Sequence, residues 1–325
     1  MMSQVRFGQA INRAIADAMT ADPNVVLFGE DVAAAGGPFG VTRGLRDKFG
    51  PDRVRDTPIS EATVVGAAVG AAMSGLKPIV EIMFMDFVTL TMDALVNQAA
   101  KARFMFGGQV SVPMVVRTPH GGGINAGPQH SQCLEAWLTH IPGLKVVCPA
   151  TASDAYGLMR SAIADPDPVI VVENKSFYAL KEDLADHPET IAIGNAATVR
   201  EGRDATIVCY GAMRTAALEA AAQLSKDGIE AEIIDLRSLQ PWDEASVAAS
   251  LARTHRLVIA HEAVEAFGIG AEIAARMADI AFDELDAPIV RVAAPFMPVP
   301  FASSLEAQYR PNAERISAAV RRVMV

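Results

Sequence analysis

The sequence predicts an α/β protein of two domains, the first built on a parallel sheet with helices on both faces and the second a smaller α/β unit. Three observations carry that expectation. A length of 325 residues matches about two domains at roughly 100–200 residues each. Apolar runs of strand length recur between stretches with the three- and four-residue spacing of helices. Buried strands alternating with helices make a parallel sheet covered on both faces, and the alternation restarts beyond a charged segment near 181–194.

In chain order, Phe7, Ala10, Ile11, Ala14, Ile15 and Ala18 line one face of a helix over 4–20. A short strand follows at 25–28, closed by Gly29-Glu30-Asp31, and a Gly-rich loop runs through Gly36, Gly37 and Gly40. Pro58 keeps its predecessor extended, Ser60 stands at an N-cap position, and a helix begins at Glu61 and runs to about 74. Gly75-Leu76-Lys77-Pro78 breaks it before a strand over 79–83. Then come a helix over 93–106, a strand over 112–117, a flexible loop over 121–127, a strand centred on Val146 and Val147, a helix over 153–164 and a strand over 169–173. Asp183, Asp186, His187, Pro188 and Glu189 read as an exposed linker. Beyond it, strands at 205–210, 231–236, 257–261 and 289–292 are separated by helices at 213–226, 243–253 and 268–281, with a last helix over 312–323. The expected domains are 1–185 and 201–325, with a linker over 186–200.

With 51% hydrophobic and 20% charged residues the composition is globular, not disordered. The longest near-apolar stretch, 62–76, falls short of the roughly 18 residues of a membrane span. A formal charge of -10 argues against nucleic-acid and membrane-surface binding. The N-terminus shows neither a signal sequence nor a transit sequence, so a cytoplasmic address is the expectation. Cys133, Cys148 and Cys209 lack a CxxC and suggest reduced thiols, not a disulfide framework or a zinc site.

Chemistry has few anchors. Gly268-Ile269-Gly270 precedes a helix as a dinucleotide turn would, but Ile273 replaces the third glycine, and a tight turn is the simpler reading. There is no GxSxG elbow and no HExxH helix. Cys133 lies three residues after His130, yet its Ala/Leu/Trp surroundings fit packing. The six histidines show no i, i+4 pair, which argues against histidine metal ligation. His130 follows the loop Gly121-Gly122-Gly123-Ile124-Asn125-Ala126-Gly127-Pro128, where a backbone can approach a ligand closely; a loop histidine can equally be a surface residue. Glu61 sits at a helix N-terminus, where a carboxylate can simply complement the dipole. Gly66, Ala67, Gly70 and Ala71 give that helix a thin face suited to close helix contact, as at a subunit interface, and a carboxylate at its mouth is a candidate for desolvation.

Six segments in order resemble one family over essentially the whole chain. They are Phe28-Gly29-Glu30-Asp31-Val32, Asp56-Thr57-Pro58-Ile59-Ser60-Glu61, Asn97-Gln98-Ala99-Ala100-Lys101, Gln129-His130-Ser131-Gln132, His140-Ile141-Pro142-Gly143-Leu144-Lys145-Val146-Val147 and Asp235-Leu236-Arg237-Ser238-Leu239-Gln240-Pro241. The family is that of the β subunits of 2-oxo acid dehydrogenase E1 components, with pyruvate, branched-chain and acetoin members. The resemblance implies a transketolase-like pyrimidine-binding domain and a transketolase C-terminal-like domain. It also implies thiamine diphosphate shared with an α subunit in an α2β2 heterotetramer, and an E2 acyltransferase whose lipoyl domain receives the acyl group.

Carried over residue by residue, Glu61 is the glutamate that hydrogen-bonds N1′ of the aminopyrimidine and promotes the imino tautomer that deprotonates C2. Phe87 matches the position of the aromatic packed on that ring in the family. His130 matches the histidine of the family's His-Ser-Gln motif, which faces the reacting centre and assists acyl transfer. A structural potassium ion would involve Met114, Ala162, Ile163, Asp165 and Asp167, mostly through main-chain carbonyls; Asp165-Pro166-Asp167 stands where relatives commonly end the turn with Asn. No Gly-Asp-Gly occurs in the chain, so the diphosphate and its Mg2+ are expected on the α subunit. Fold alone is equally compatible with a flavodoxin-like nucleotide or electron carrier without catalysis.

Overall fold

The computed structural model describes residues 2–325, which fold as two compact units. The first comprises residues 2–120 and Trp137–Ile193, the second Gly121–Ala136 and Gly194–Val325. The chain thus leaves the first unit after residue 120, contributes one loop to the second and returns.

In the first unit, β1 (Met2–Arg6) leads into α1 (Phe7–Ala21). Then follow β2 (Val25–Gly29), α2 (Leu45–Phe49), β3 (Val54–Asp56), α3 (Glu61–Met73) and β4 (Lys77–Glu81). A 3₁₀ turn (Met85–Thr91) and a π-helical turn (Asp93–Ala99) run into α4 (Ala100–Met105), followed by β5 (Val115–His120), α5 (Glu135–Thr139), β6 (Lys145–Val147), α6 (Ala152–Ala164), β7 (Val169–Asn174) and β8 (Lys181–Ala185). The main sheet runs β6-β7-β5-β4-β2-β3, every neighbour parallel. Its central strands β5 and β7 are buried throughout; the apolar run over 169–172 in β7 shows this in the sequence, whereas β5 also buries Arg117, Thr118 and His120. Helix α1 buries Phe7, Ile11, Ile15 and Met19 and packs against α6. Thr151 starts α6 with a reciprocal cap: its Oγ1 accepts from the Asp154 N–H at 3.0 Å and Asp154 Oδ2 accepts from the Thr151 N–H at 3.1 Å.

The second unit holds β9 (Ala197–Arg200), β10 (Ala205–Cys209), α7 (Met213–Leu224), β11 (Ala231–Asp235), β12 (Ser238–Gln240), α8 (Glu244–Thr254), β13 (Leu257–Val264), α9 (Ile269–Ile280), β14 (Val290–Ala294), α10 (Ser303–Tyr309) and α11 (Ala313–Val323). Its sheet has the order β14-β13-β10-β11-β9; only β9 is antiparallel. The predicted alternation is present in both units, and the elements shift by a few residues from the pattern-based bounds.

Two readings need correction. The helix expected from residue 4 begins at Phe7, because 2–6 form β1, and the segment from Lys181 is a strand before it is a linker. Strands β1 and β8 pair antiparallel, Met2 opposite Ala185 and Arg6 opposite Lys181. Backbone pairing between distant, polar segments leaves no local hydrophobic period to read. No helix among the described residues is long and apolar enough to cross a membrane.

Candidate active site

Glu61 opens α3, after Ser60 at the N-cap. The cap is not made by the Ser60 side chain onto the helix backbone; Ser60 Oγ donates instead to Thr63 Oγ1 at 2.8 Å. Glu61 is half-buried, and its carboxylate has no hydrogen-bond or ion-pair partner among the described residues. Behind it, at the end of β2, lies Glu30, only 9% exposed with a buried Oε1 that accepts no hydrogen bond. Burial pushes the Glu30 carboxyl up, and the neighbouring Glu61 and Asp31 push it the same way. Two carboxylates therefore converge at the start of a helix whose exposed Gly66 and Gly70 have nothing within 4 Å of an added Cβ.

Phe87 lies half-buried on the 3₁₀ turn that packs against α3. It belongs to an aromatic chain. Phe84 meets it edge-on at 5.9 Å and 85°, Phe39 meets Phe84 at 5.9 Å and 78°, and Tyr178 stacks on Phe39 at 4.8 Å.

Tyr178 in turn donates to Glu173 Oε2 at 2.6 Å. That carboxylate is gripped by Arg117, whose Nε and Nη2 each donate at 2.7 Å, while Arg117 Nη1 donates to Glu81. Strand register explains the meeting. Glu81 is opposite Arg117, and Arg117 is opposite Val171, two residues before Glu173, so all three side chains leave the same face. Burial pushes Glu81 up while Arg117 opposes that shift; burial also works against the Arg117 charge, but the two glutamates hold its proton firmly. Tyr178 is pushed well up by burial and by Glu173. A guanidinium forked onto one carboxylate and bonded to a second meets the requirement that buried charge be paired.

His130 is half-buried and belongs to the loop that joins the second unit; its backbone N–H donates to Gly127 O at 3.4 Å. It is in a different compact unit from Glu61 and Phe87. The positions expected to hold potassium are together in the first unit. The Met114 carbonyl accepts from Val169 N–H at 3.0 Å and the Ala162 carbonyl from Asp165 N–H at 3.3 Å, and Ile163 is buried beside them in α6. The carboxylates are engaged: Lys145 Nζ donates to Asp165 at 2.7 and 2.6 Å, and Arg103 Nε donates to Asp167 Oδ1 at 2.5 Å. Main-chain carbonyls fit a hard cation, whereas these two side chains already have cationic partners.

The Gly268-Ile269-Gly270 turn does open a helix, and its glycines have an internal reason. An added Cβ at Gly268 would lie 2.6 Å from His261 Cε1, and one at Gly270 would lie 2.7 Å from His261 Nε2. The His261 ring is fully buried, its Nδ1 is 3.1 Å from the Ala263 carbonyl oxygen, and it stacks on Tyr210 at 6.2 Å and 11°. Burial lowers its pKa. The sequence reading missed Glu30 and the Glu81–Arg117–Glu173 cluster; for Glu30 the available sign was its place in Phe28-Gly29-Glu30-Asp31-Val32.

Residues 3–181 match the family model described as transketolase, pyrimidine binding domain, and residues 194–316 match that described as transketolase, C-terminal domain. The acetoin:2,6-dichlorophenolindophenol oxidoreductase subunit beta of Cupriavidus necator is 49% identical over 97% of this chain and 96% of its own length. The protein of the same name from Bacillus subtilis is 48% identical, with the same coverages of 97% and 96%. The mitochondrial pyruvate dehydrogenase E1 component subunit beta-2 of rice, Oryza sativa subsp. japonica, is 45% identical over 97% of this chain and 85% of its own. A solved structure of a split gene transketolase, an inactive beta4 tetramer, has a TM-score of 0.82 at 23% identity and covers 98% of each chain; at that identity it bears on fold alone.

Proposed function

The chain belongs to the transketolase-like family of E1 β subunits, oxidoreductase components of thiamine-diphosphate-dependent 2-oxo acid dehydrogenase complexes, and from that premise we propose where its chemistry sits and what completes it. The observation that carries the proposal is the half-buried, unpartnered Glu61 carboxylate with buried Glu30 behind it. Glu61 holds and moves a proton at N1′ of the cofactor's aminopyrimidine. Phe87 offers that ring a flat apolar face, held in place by Phe84, Phe39 and Tyr178. Low dielectric at a half-buried carboxylate strengthens such a hydrogen bond, and a positioned acid or base contributes typically 10²–10⁴-fold. When bound, thiamine diphosphate supplies a nucleophilic thiazolium carbon and then an electron sink for cleavage of the bond next to the carbonyl carbon, releasing carbon dioxide from a 2-oxo acid or an aldehyde from acetoin.

The diphosphate and Mg2+ fall to an E1 α subunit, since this chain has no Gly-Asp-Gly. The open face of α3 at Gly66 and Gly70, flanked by Ile59 at 83% exposure, supports helix-to-helix contact with another chain in an α2β2 assembly. His130 assists transfer of the acyl group to the lipoyl group of an E2 acyltransferase. A potassium ion would rest on main-chain carbonyls of Met114, Ala162, Ile163, Asp165 and Asp167, since the side chains of Asp165 and Asp167 are already paired with Lys145 and Arg103.

Calorimetric titration tests the shared site. The pure chain should bind thiamine diphosphate and magnesium weakly or not at all, and should turn over only when the α chain is supplied. Sub-micromolar binding with turnover by the isolated chain would overturn the two-chain reading. One observation favours acetoin over pyruvate as substrate: identities of 49% and 48% to the two acetoin oxidoreductase subunits, against 45% to the rice pyruvate dehydrogenase subunit. Rates of the reconstituted pair on both compounds decide between them.

A further inference from the structure

The loop that carries His130 is clasped by the second unit. Its ends are drawn together by the Gly121 N–H, which donates to the Gln132 carbonyl at 3.5 Å. Glu262, on β13 and 4% exposed, accepts the Gly122 N–H at 2.7 Å and the Arg310 Nε–H at 2.8 Å, both on Oε1. Glu306, on α10 and also 4% exposed, accepts the Asn125 N–H at 3.2 Å on Oε2. Its other oxygen has no hydrogen-bond partner and lies 3.1 Å from where a Cβ on Gly122 would be. Farther along, the Phe301 ring fills the space at Gly127, where an added Cβ would come within 2.2 Å of it. Gly127 has φ +72, a conformation few other residues adopt without strain, and its carbonyl accepts the His130 N–H.

Burying two carboxylates is costly unless their hydrogen bonds repay it, and here each accepts a main-chain N–H of the same loop. A charge-assisted bond is roughly twice as strong as a neutral one. Main-chain N–H groups three residues apart, each ending on a carboxylate of the second unit, fix the loop's path regardless of its own side chains. Arg310 places its guanidinium against the Glu262 carboxylate, its Nε 2.8 Å from Oε1.

We propose that Glu262, Glu306 and Arg310, with Phe301 as a lid over Gly127, are positioning residues for His130: they set the geometry of the acyl-transfer step through the loop that carries His130, although none of the four is itself a reacting group. The proposal rests on the reading of His130 as the residue that assists that transfer. It predicts a division of labour, with cofactor activation governed by the first unit and transfer governed by the clasp.

The test uses the reconstituted αβ enzyme carrying Glu306→Ala, Glu306→Gln or Phe301→Ala, the last at a residue 66% exposed whose loss spares folding. Three readouts are taken: C2 hydrogen–deuterium exchange of bound thiamine diphosphate, transfer to a lipoyl domain, and amide exchange of the segment 121–132. Glu306→Ala should slow transfer about tenfold, the scale of one charge-assisted hydrogen bond, and speed amide exchange in 121–132. C2 exchange should stay at the wild-type rate. Glu306→Gln keeps an acceptor oxygen and should recover most of the loss. Phe301→Ala should loosen the segment around Gly127 and slow transfer in the same direction. In a His130→Ala background, Glu306→Ala should slow transfer no further. Unchanged amide exchange overturns the clasp; additive losses in the double variant, or equal losses in C2 exchange and transfer, overturn the positioning role. Wild-type transfer in His130→Ala alone refutes the reading of His130, and amide exchange then still decides whether the clasp holds the loop.

Discussion

Two helices open close to the ends of parallel strands, α3 at Glu61 and α9 at Ile269, and in sequence both look ready to receive a ligand. The structure separates them. At α9 the approach is filled from within, because the His261 imidazole occupies the volume that Gly268 and Gly270 leave. At α3 the carboxylate is unpartnered and a second carboxyl is buried behind it. Glycines before a helix report what the backbone must fit against, and that object can be a side chain of the same protein as readily as a pyrophosphate. A half-buried acid without a partner is harder to explain by packing, since a polar group taken from water gains nothing there unless something bonds to it. The two helix starts can be told apart by experiment.

The largest effect is expected at α3. Glu61→Gln keeps the shape and an amide but removes the group that couples to the N1′ proton, so C2 hydrogen–deuterium exchange of bound thiamine diphosphate should slow by roughly a hundredfold or more. Assembly with the α subunit should survive, because the lost helix-dipole contribution is about 1 kcal/mol or less. Normal exchange in a well-assembled variant would reduce Glu61 to a helix-start carboxylate and make the two helix starts alike.

At α9 the effect should fall on stability. Gly270→Ala places a methyl group against His261 Nε2, and overpacking of this kind typically costs about 1–3 kcal/mol. Combining it with His261→Ala should be less damaging than the sum of the single changes, by about 0.5 kcal/mol or more. Denaturant melting of the four proteins gives the coupling directly. If Gly270→Ala instead left stability intact and weakened binding of a nucleotide, the turn would be a ligand site after all.

How much of this was legible in the sequence depends on the range of the interactions. Strand β7 is legible because burial on both faces makes residues 169–172 a continuous apolar run, and Glu61 is legible because a helix start is a local pattern. Arg117 looked like a polar strand residue; that it is 1% exposed and shared between Glu81 and Glu173 follows from the register of three strands far apart in the chain. The same holds for β1 and β8, and for the clasp. Glu262 and Glu306 meet Gly122 and Asn125 across 140 and 181 residues of sequence, so the Gly-rich loop could be recognised as adaptable but not assigned to the unit that holds it. Glu30 reads in sequence as a turn acid, since a carboxylate between Gly and Asp gives no hint of burial.

Glu30 gives the smallest predicted effect and ties stability to the α3 site. Its carboxyl is pushed above the ordinary value of 4.5, by burial first and by Glu61 second. A raised folded-state pKa means the folded protein binds this proton more tightly than the unfolded chain does. The resulting stabilisation is complete below about pH 4.5 and is lost as pH rises through the raised value. Gln mimics the protonated side chain at every pH. Glu30→Gln should therefore melt about 1–2 °C above the wild type at neutral pH, with the gap closing as pH falls below 4.5. The gap should also narrow when Glu61 is already Gln, because the second cause of the shift is then gone, whereas Gly270→Ala should leave it unchanged. Melting curves across pH for the single and double variants measure this. A Glu30→Gln protein less stable than wild type at neutral pH would mean that the ionised carboxylate is held by a partner, and the pairing of two carboxyls that distinguishes α3 from α9 would have to be abandoned.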